Sequence, residues 1–306
     1  MTRFLVTGAS GLLGLNFALQ TCHEHEVIAV VNRHALLNAP FTVLQVDLSL
    51  PGEAERLLMD TRPEVVINCA AYANVDACES EPEQAFYINS VVPGALARAT
   101  AHQNIYLLHL STDAVFDGMR GDYVEDDQTN PINQYARTKV AGERTVMTAN
   151  PEALIARVNF YGWSLRGERS LAEYFVNTLS AGRPVKGFTD VFFCPLEVND
   201  LVDVLLEMIN LRLHGLYHTF SPEALSKYEF GLRVARQFGL DESLIEPTSW
   251  KAGELVARRA PNLIMKSDRL TAALGHCLPG QQHGLERFHA LFQQGYHQHL
   301  LDMCAV

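Results

Sequence analysis

Several things that would point to other kinds of protein are missing from this chain. No apolar run approaches the ~20 residues that a membrane-spanning helix needs. Met1-Thr2-Arg3 passes directly into the strand-like Phe4-Leu5-Val6, without a basic-then-apolar leader. A cytoplasmic chain with no membrane association is therefore expected. Basic residues are outnumbered: 24 Lys and Arg face 35 Asp and Glu, for a formal charge of −11 over 306 residues. Such a surface repels polyphosphate backbones, so no nucleic-acid partner is expected, although local cations and helix ends can still hold a small anion. The six cysteines are scattered (Cys22, Cys69, Cys78, Cys194, Cys277, Cys304) and include no C-x-x-C. Reduced, mostly buried thiols are expected. Among twelve histidines the closest pairs, His23-x-His25 and His297-x-His299, have no third ligand at suitable spacing. No metal site is expected. Repeats, low-complexity tracts and obvious linkers are absent too.

What is present is an alternation of strands and helices. Arg3–Thr7, Val27–Val31, Phe41–Val46, Val65–Ile67, Ile105–Leu110 and Leu154–Val158 read as short, continuous apolar strands. Between them, Leu12–Gln20, Pro51–Thr61, Gln84–Ala101 (interrupted near Pro93) and Tyr135–Ala149 read as helices. This order predicts an α/β fold, a doubly wound, Rossmann-like parallel sheet with helices on both faces. The dinucleotide-binding domain is placed at 1–160, with 191–214 returning to the sheet. Residues 161–190 and 215–306 form a smaller, mostly helical substrate lobe. Short helices are expected near Leu171–Leu179, Val198–Leu211, Lys227–Gln237 and Gly284–Gln294. Ligands of such sheets lie beyond the carboxyl ends of the strands. The first glycine turn, Asn68–Ala71, Ser111–Asp113 and Asn159 all fall there.

The turn is Val6-Thr7-Gly8-Ala9-Ser10-Gly11-Leu12-Leu13-Gly14. Gly8 permits a tight turn, Gly11 lets the backbone approach a pyrophosphate, and Gly14 lets the helix pack against the strand. The helix from Leu12 then aims free N–H groups and about half a positive charge at the phosphates. Ser10, Leu12 and Leu13 complete the expected cradle. After the second strand, Val31-Asn32-Arg33-His34 carries no acid to bind a ribose 2′-hydroxyl. Asn32 and Arg33 suit a 2′-phosphate instead, which favours NADP over NAD. Asp47 and Leu48 are placed to meet the adenine edge. Cys69, Ala70 and Ala71 are small residues against which the cofactor can lie.

Tyr135 and Lys139 stand at i and i+4, on one helix face. A free phenol has a pKa of about 10, and a nearby ammonium lowers it, so the tyrosine can give or take a proton. Lys139 can also hold the nicotinamide ribose. Thr112 would hydrogen-bond and orient the reacting oxygen. The catalytic set expected from the residues is thus Thr112, Tyr135 and Lys139.

With these residues the chain resembles the extended short-chain dehydrogenase/reductases, specifically the dTDP-4-dehydrorhamnose reductase family. The resemblance is carried by Thr7–Gly14, Asn68-Cys69-Ala70-Ala71-Tyr72, Val75-Asp76-Ala77-Cys78-Glu79, Glu81-Pro82-Glu83 and Asn89. It continues through Ser111-Thr112-Asp113-Ala114-Val115-Phe116-Asp117-Gly118, Pro131-Ile132-Asn133-Gln134-Tyr135 and Lys139-Val140-Ala141-Gly142-Glu143. It fades after about residue 160, although Val198-Asn199-Asp200-Leu201 still fits. It implies that reduced NADP gives hydride to the 4-keto carbon of a nucleotide-linked deoxysugar while Tyr135 protonates the oxygen. It further implies that Asn89 supports the lysine and the cofactor site. Asn159 then contacts substrate phosphate, and Asp113 is a further acid on the substrate side. A homodimer through the helices around Gln84–Ala101 and Tyr135–Ala149 is implied as well. The sequence departs from the pattern at Ala114, where the related 4,6-dehydratases carry a glutamate; that argues against dehydration. Phe192-Phe193-Cys194-Pro195-Leu196 and Arg259-Ala260-Pro261 only approximate family stretches, which leaves the particular sugar open.

Two other readings compete. An epimerase of the same fold would hold NAD tightly and recycle it. A non-enzymatic, cofactor-binding regulatory subunit would keep the site without turnover.

Overall fold

The computed structural model describes residues 1–252 and 257–304. Its frame is a seven-stranded sheet made of β1 (Arg3–Thr7), β2 (Glu26–Val31), β3 (Thr42–Gln45), β4 (Val65–Asn68), β5 (Tyr106–Thr112), β6 (Leu154–Val158) and a last strand, Gly215–Thr219. In space the order is Gly215–Thr219, β6, β5, β4, β1, β2, β3, and every neighbouring pair is parallel. The chain starts in the middle, winds outward to β3, and then reverses to β4. That reversal between β1 and β4 opens a crevice at the carboxyl ends of the strands. The fold is the expected doubly wound one.

Alternation along each strand feeds two cores. Phe4 and Val6 join Leu13 and Phe17 of α1 (Leu12–Thr21) on one face, where Leu201 and Leu205 also pack. Leu5 turns to the other face, with Leu57 and Leu58 of α2 (Glu53–Thr61). Two further helices supply that second core, and α3 (Val75–Ser80) and α4 (Pro82–Phe86) precede them in the chain. They are α5 (Val92–Gln103), through Ala97, and α6 (Gln134–Ala149), through Val146.

Three sequence expectations are corrected. The helix around Pro93 is not interrupted there. A π turn, Tyr87–Val91, joins α4 to α5, and Pro93 sits in the first turn of α5. Proline cannot donate to the Asn89 carbonyl four residues back, and the wider turn absorbs that missing bond. The strand that returns to the sheet is Gly215–Thr219, in a stretch read as the start of a helical region. It is an edge strand, only half-buried over Gly215–Tyr217, so it lacks the continuous apolar run that marks the others. The region beyond β6 also contains small strands. Val185–Phe188 pairs with Ile245–Thr248, and Phe192–Phe193 lies between Leu225–Ser226 and Asn262–Leu263.

The rest of that region is helical: α7 (Leu171–Ser180), α8 (Val198–Asn210), α9 (Lys227–Phe238), and shorter or later helices at Asp268–Leu274, Gln281–Gln293 and Tyr296–Asp302. Ser170 with Glu173, and Ser226 with Glu229, form capping boxes that start α7 and α9. Trp163 stacks on Phe288 at 4.1 Å, and Asn16 of α1 donates to the Trp163 carbonyl at 3.0 Å. The second lobe is thereby packed against the sheet rather than tethered. Among the described residues no helix is long and apolar enough to cross a membrane.

Candidate active site

The turn after β1 is built for close backbone approach. Gly8 has φ +65°, and a Cβ there would lie 2.7 Å from the Ala70 nitrogen. A Cβ on Gly14 would lie 2.6 Å from the Gly8 carbonyl oxygen. Gly11 donates to that same carbonyl at 2.9 Å and caps α1 without a side-chain hydrogen bond. The first N–H groups of the helix, at Leu12 and Leu13, therefore face the crevice unpartnered by any cap. Ser10 sits half-buried in the turn. A cradle whose space only glycine leaves open, with donors at its floor, fits a pyrophosphate.

Asn32 and Arg33 are exposed at the end of β2, and Gln45 donates to the Asn32 carbonyl at 2.8 Å. Arg33 faces Asp47, but the Asp47 carboxylate is occupied locally. Its Oδ1 accepts from the Ser49 hydroxyl at 2.6 Å and the Ser49 N–H at 3.0 Å, and these bonds hold the group below its usual pKa. Leu48 is half-buried beside it. Across the crevice, Cys69 and Ala70 are half-buried and Ala71 is exposed. The Ala70 N–H donates to Thr7 Oγ1 at 3.3 Å.

Asn89 is fully buried in the π turn and spends its amide on framework. It accepts from the Tyr72 N–H at 2.7 Å, donates to the Tyr72 carbonyl at 3.1 Å and donates to Thr138 Oγ1 at 2.9 Å. It braces the Tyr72 end of the Cys69–Tyr72 loop against α6 through Thr138.

Thr112 ends β5, and α6 begins one residue before Tyr135. Asn133 caps that helix by accepting from the Ala136 N–H at 2.8 Å, and Glu79 accepts from the Gln134 N–H at 2.8 Å. These bonds fix the first turn, where the Tyr135 side chain meets the Thr112 hydroxyl. Burial pushes the phenol up to about 12, against the Thr112 hydrogen bond and with the Asp113 carboxyl adding to the rise. The lowering expected from Lys139 is not found. Instead the Lys139 ammonium donates to the Leu110 carbonyl at 2.6 Å, and its own pKa is drawn down to about 8 by burial, with Glu143 opposing.

Asp113 is 4% exposed, and burial raises its pKa against hydrogen bonds from Asn159 and Thr112. Asn159 Nδ2 donates to its Oδ2 at 2.5 Å, and Thr112 Oγ1 donates to its Oδ1 at 3.1 Å. Lys227, the first residue of α9, faces the same carboxyl. Arg259, paired with Asp76 at 3.0 Å, is a second cation near Lys227. Neither cation was assigned a role from sequence. The capping box Ser226-Lys227-Tyr228-Glu229 was the available signal, since it starts a helix at the crevice.

The expected site residues thus come together around one crevice, from the glycine cradle through Cys69–Ala71 to Thr112, Asp113, Tyr135, Lys139 and Asn159. Asn89 stands behind it, and Asp47 is turned to Ser49. Among the described residues no group of three or more His, Cys, Asp or Glu could hold a metal ion.

Residues 2–294 match the family described as the RmlD substrate binding domain. A probable low-salt glycan biosynthesis reductase of Haloferax volcanii is 34% identical, over 94% of this chain and 97% of that protein. A dTDP-4-dehydrorhamnose reductase of Mycolicibacterium smegmatis is 32% identical, over 89% and 80% respectively. Among solved structures, a Bacillus anthracis dTDP-4-dehydrorhamnose reductase in complex with NADP is 25% identical. It superposes with a TM-score of 0.83, over 94% of this chain and 98% of that one.

Proposed function

The chain belongs to the RmlD substrate binding domain family of extended short-chain dehydrogenase/reductases, and from that premise we propose that it uses NADPH to reduce the 4-keto group of a dTDP-linked 6-deoxysugar. It is an NAD(P)-dependent oxidoreductase acting on a nucleotide-linked sugar. The observation that carries the reading is the Tyr135 side chain meeting the Thr112 hydroxyl at the carboxyl end of β5, in the sheet whose β1 ends in the glycine cradle.

When bound, the reduced dinucleotide supplies the hydride. The chain's own residues do the rest. Thr112 orients the carbonyl oxygen by hydrogen bonding, and Tyr135 delivers a proton to that oxygen as negative charge develops on it. A phenol near 12 stays protonated at neutral pH, and it remains far more acidic than an alcohol, whose acidity is roughly that of water at about 15.7. Transfer to an alkoxide is therefore downhill. An epimerase would use the same group as a base in its first step and recycle its cofactor. The relatives named as reductases favour net reduction.

Lys139 is assigned to the nicotinamide ribose, Asn89 to bracing, and Asp113, Asn159 and Lys227 to the sugar and its phosphates. The NADP preference is supported by Arg33 and by the absence of an acid after β2. The regions 161–190 and 215–306, apart from the sheet strand Gly215–Thr219, are proposed as the substrate lobe. A cytoplasmic homodimer is also proposed, the exposed Phe86 and Tyr87 on the helical stretch before α5 being suited to a second copy. The test is NADPH oxidation against a panel of nucleotide-linked keto-sugars. Stoichiometric cofactor consumption is expected; product formed without net consumption would favour an epimerase, and binding without any turnover a regulatory subunit.

A further inference from the structure

Behind Lys139, a row of polar residues crosses three adjacent strands. Ser111 of β5 is the register partner of Arg157 in β6, and Arg157 is the register partner of His218 in the Gly215–Thr219 strand. Residues in register point to the same face, and this face is the one that α6 covers with Glu143, one turn beyond Lys139.

Glu143 is held on both oxygens. Its Oε1 accepts from Ser111 Oγ at 2.5 Å and Arg157 Nε at 2.8 Å, and its Oε2 accepts from Arg157 Nη2 at 2.8 Å. Both side chains are buried, 9% and 3% exposed. Arg157 is fixed from behind: Nη1 lies 3.2 Å from His218 Nε2, and His218 Nδ1 lies 3.1 Å from the Lys266 carbonyl. A carbonyl only accepts, so Nδ1 carries the proton and Nε2 accepts from Arg157. The guanidinium also lies 5.1 Å from the centre of the Phe116 ring, and Glu125 accepts from the His218 N–H at 2.9 Å.

Buried pairs of this kind add little stability over well-packed apolar side chains. Its position gives it another use. The groups that face Lys139 are the Leu110 carbonyl and His109 of β5, the Cys69 thiol after β4, and Glu143 on its own helix. Of these, Glu143 supplies the negative charge.

We propose that Glu143, clamped by Ser111 and Arg157 one helical turn beyond Lys139, is the positioning residue whose charge holds the Lys139 amine protonated for the dinucleotide ribose. The proposal rests on the assignment of Lys139 made above. Burial lowers the pKa of this lysine, and the Glu143 carboxylate opposes that.

The test is NADPH binding, followed by fluorescence, together with kcat/KM for the keto-sugar over roughly pH 6 to 10. In Glu143→Gln the shape is kept but the charge is lost, and the now uncompensated Arg157 repels the ammonium. The basic limb of both profiles should move down by about one pH unit or more, a loss of about tenfold at the wild-type limb that recovers at lower pH. In the paired variant Glu143→Leu with Arg157→Met both charges go, so neither charge is left buried without its partner and the limb moves by less. The graded order, single variant beyond paired variant beyond wild type, is not expected of a pair that merely ties α6 to the sheet. Should Glu143→Gln fail to fold, the paired variant decides alone. Folded variants that bind NADPH with an unmoved limb overturn the proposal. A wild-type protein that binds no dinucleotide at any pH overturns the underlying assignment, and the proposal with it.

Discussion

Asn159 donates to Asp113 at 2.5 Å across the ends of β6 and β5. That single bond joins the residue proposed for the substrate phosphate to the acid beside Thr112, with the Lys227 ammonium close to the same carboxyl. Replacing Asn159 by Ala removes the donor and leaves a buried carboxyl short of a partner. A destabilisation of about 1–3 kcal/mol is expected. KM for the keto-sugar should rise more than kcat falls. Thermal melts and steady-state kinetics on the same preparation check both, and a variant as stable as the parent would contradict the first.

Tyr135→Phe removes the proton donor and little else. The phenol sits where burial, not ion pairing, dominates, so the variant should fold normally and bind NADPH as the parent does. Turnover should fall by about 10²–10⁴-fold. Unchanged turnover in a folded, cofactor-binding variant would remove Tyr135 from the mechanism.

Much of this arrangement was legible in the sequence, for identifiable reasons. Strands buried on both faces write themselves as continuous apolar runs, so β1, β2 and β4 to β6 could be read directly, and the edge strand β3 still carries Val43 and Leu44 side by side. The glycines were legible because close packing excludes any other residue: a Cβ at 8 or 14 meets backbone within 3 Å. The Gly215–Thr219 strand was not, because this edge strand opens on glycine and closes on histidine and threonine. The environment of a group was harder still. Tyr135 and Lys139 were correctly paired on one helix face, but that spacing carries no information on burial, and burial reverses the expected effect on the phenol. Lys227 and the row Ser111, Arg157, His218 are distant in sequence. Sheet register gathers the row behind Lys139, and a capping box starts the helix that brings Lys227 to Asp113.

Gly14→Ala tests the cradle. The added methyl would meet the Gly8 carbonyl oxygen at 2.6 Å and the Ala9 Cα at 3.0 Å, both backbone, so the turn must shift. A destabilisation of about 1–3 kcal/mol is expected, with NADPH binding weakened by about tenfold or more. Gly11→Ala is the milder neighbour, since its methyl meets only the Gly8 carbonyl at 3.1 Å. Equal binding by all three proteins in a fluorescence titration would place the pyrophosphate elsewhere.

Arg33→Ala tests the choice of cofactor. Arg33 is exposed at the end of β2, where a 2′-phosphate would lie. Losing one charge-assisted bond should weaken NADPH by about tenfold and leave NADH nearly unchanged. Parallel loss for both dinucleotides would mean that Arg33 does not read the 2′ position.

The buried histidine behind the active site makes the fold sensitive to acid. Burial, and then the Arg157 charge, lower the His218 pKa from the ordinary 6.5 to about 3. Between those values the unfolded chain binds a proton at this position that the folded chain refuses, so stability rises with pH across the window. The contribution is complete above about 6.5 and is lost as pH falls toward 3. At about 1.4 kcal/mol per unit it amounts to a few kcal/mol, and the buried His109, also held well below its ordinary value, acts in the same direction. Melting temperature should therefore decline steadily below about pH 6.5. In His218→Gln, which keeps a polar side chain but cannot titrate, the decline should be shallower. Parallel pH profiles for variant and parent would show that the proton is not taken up at His218.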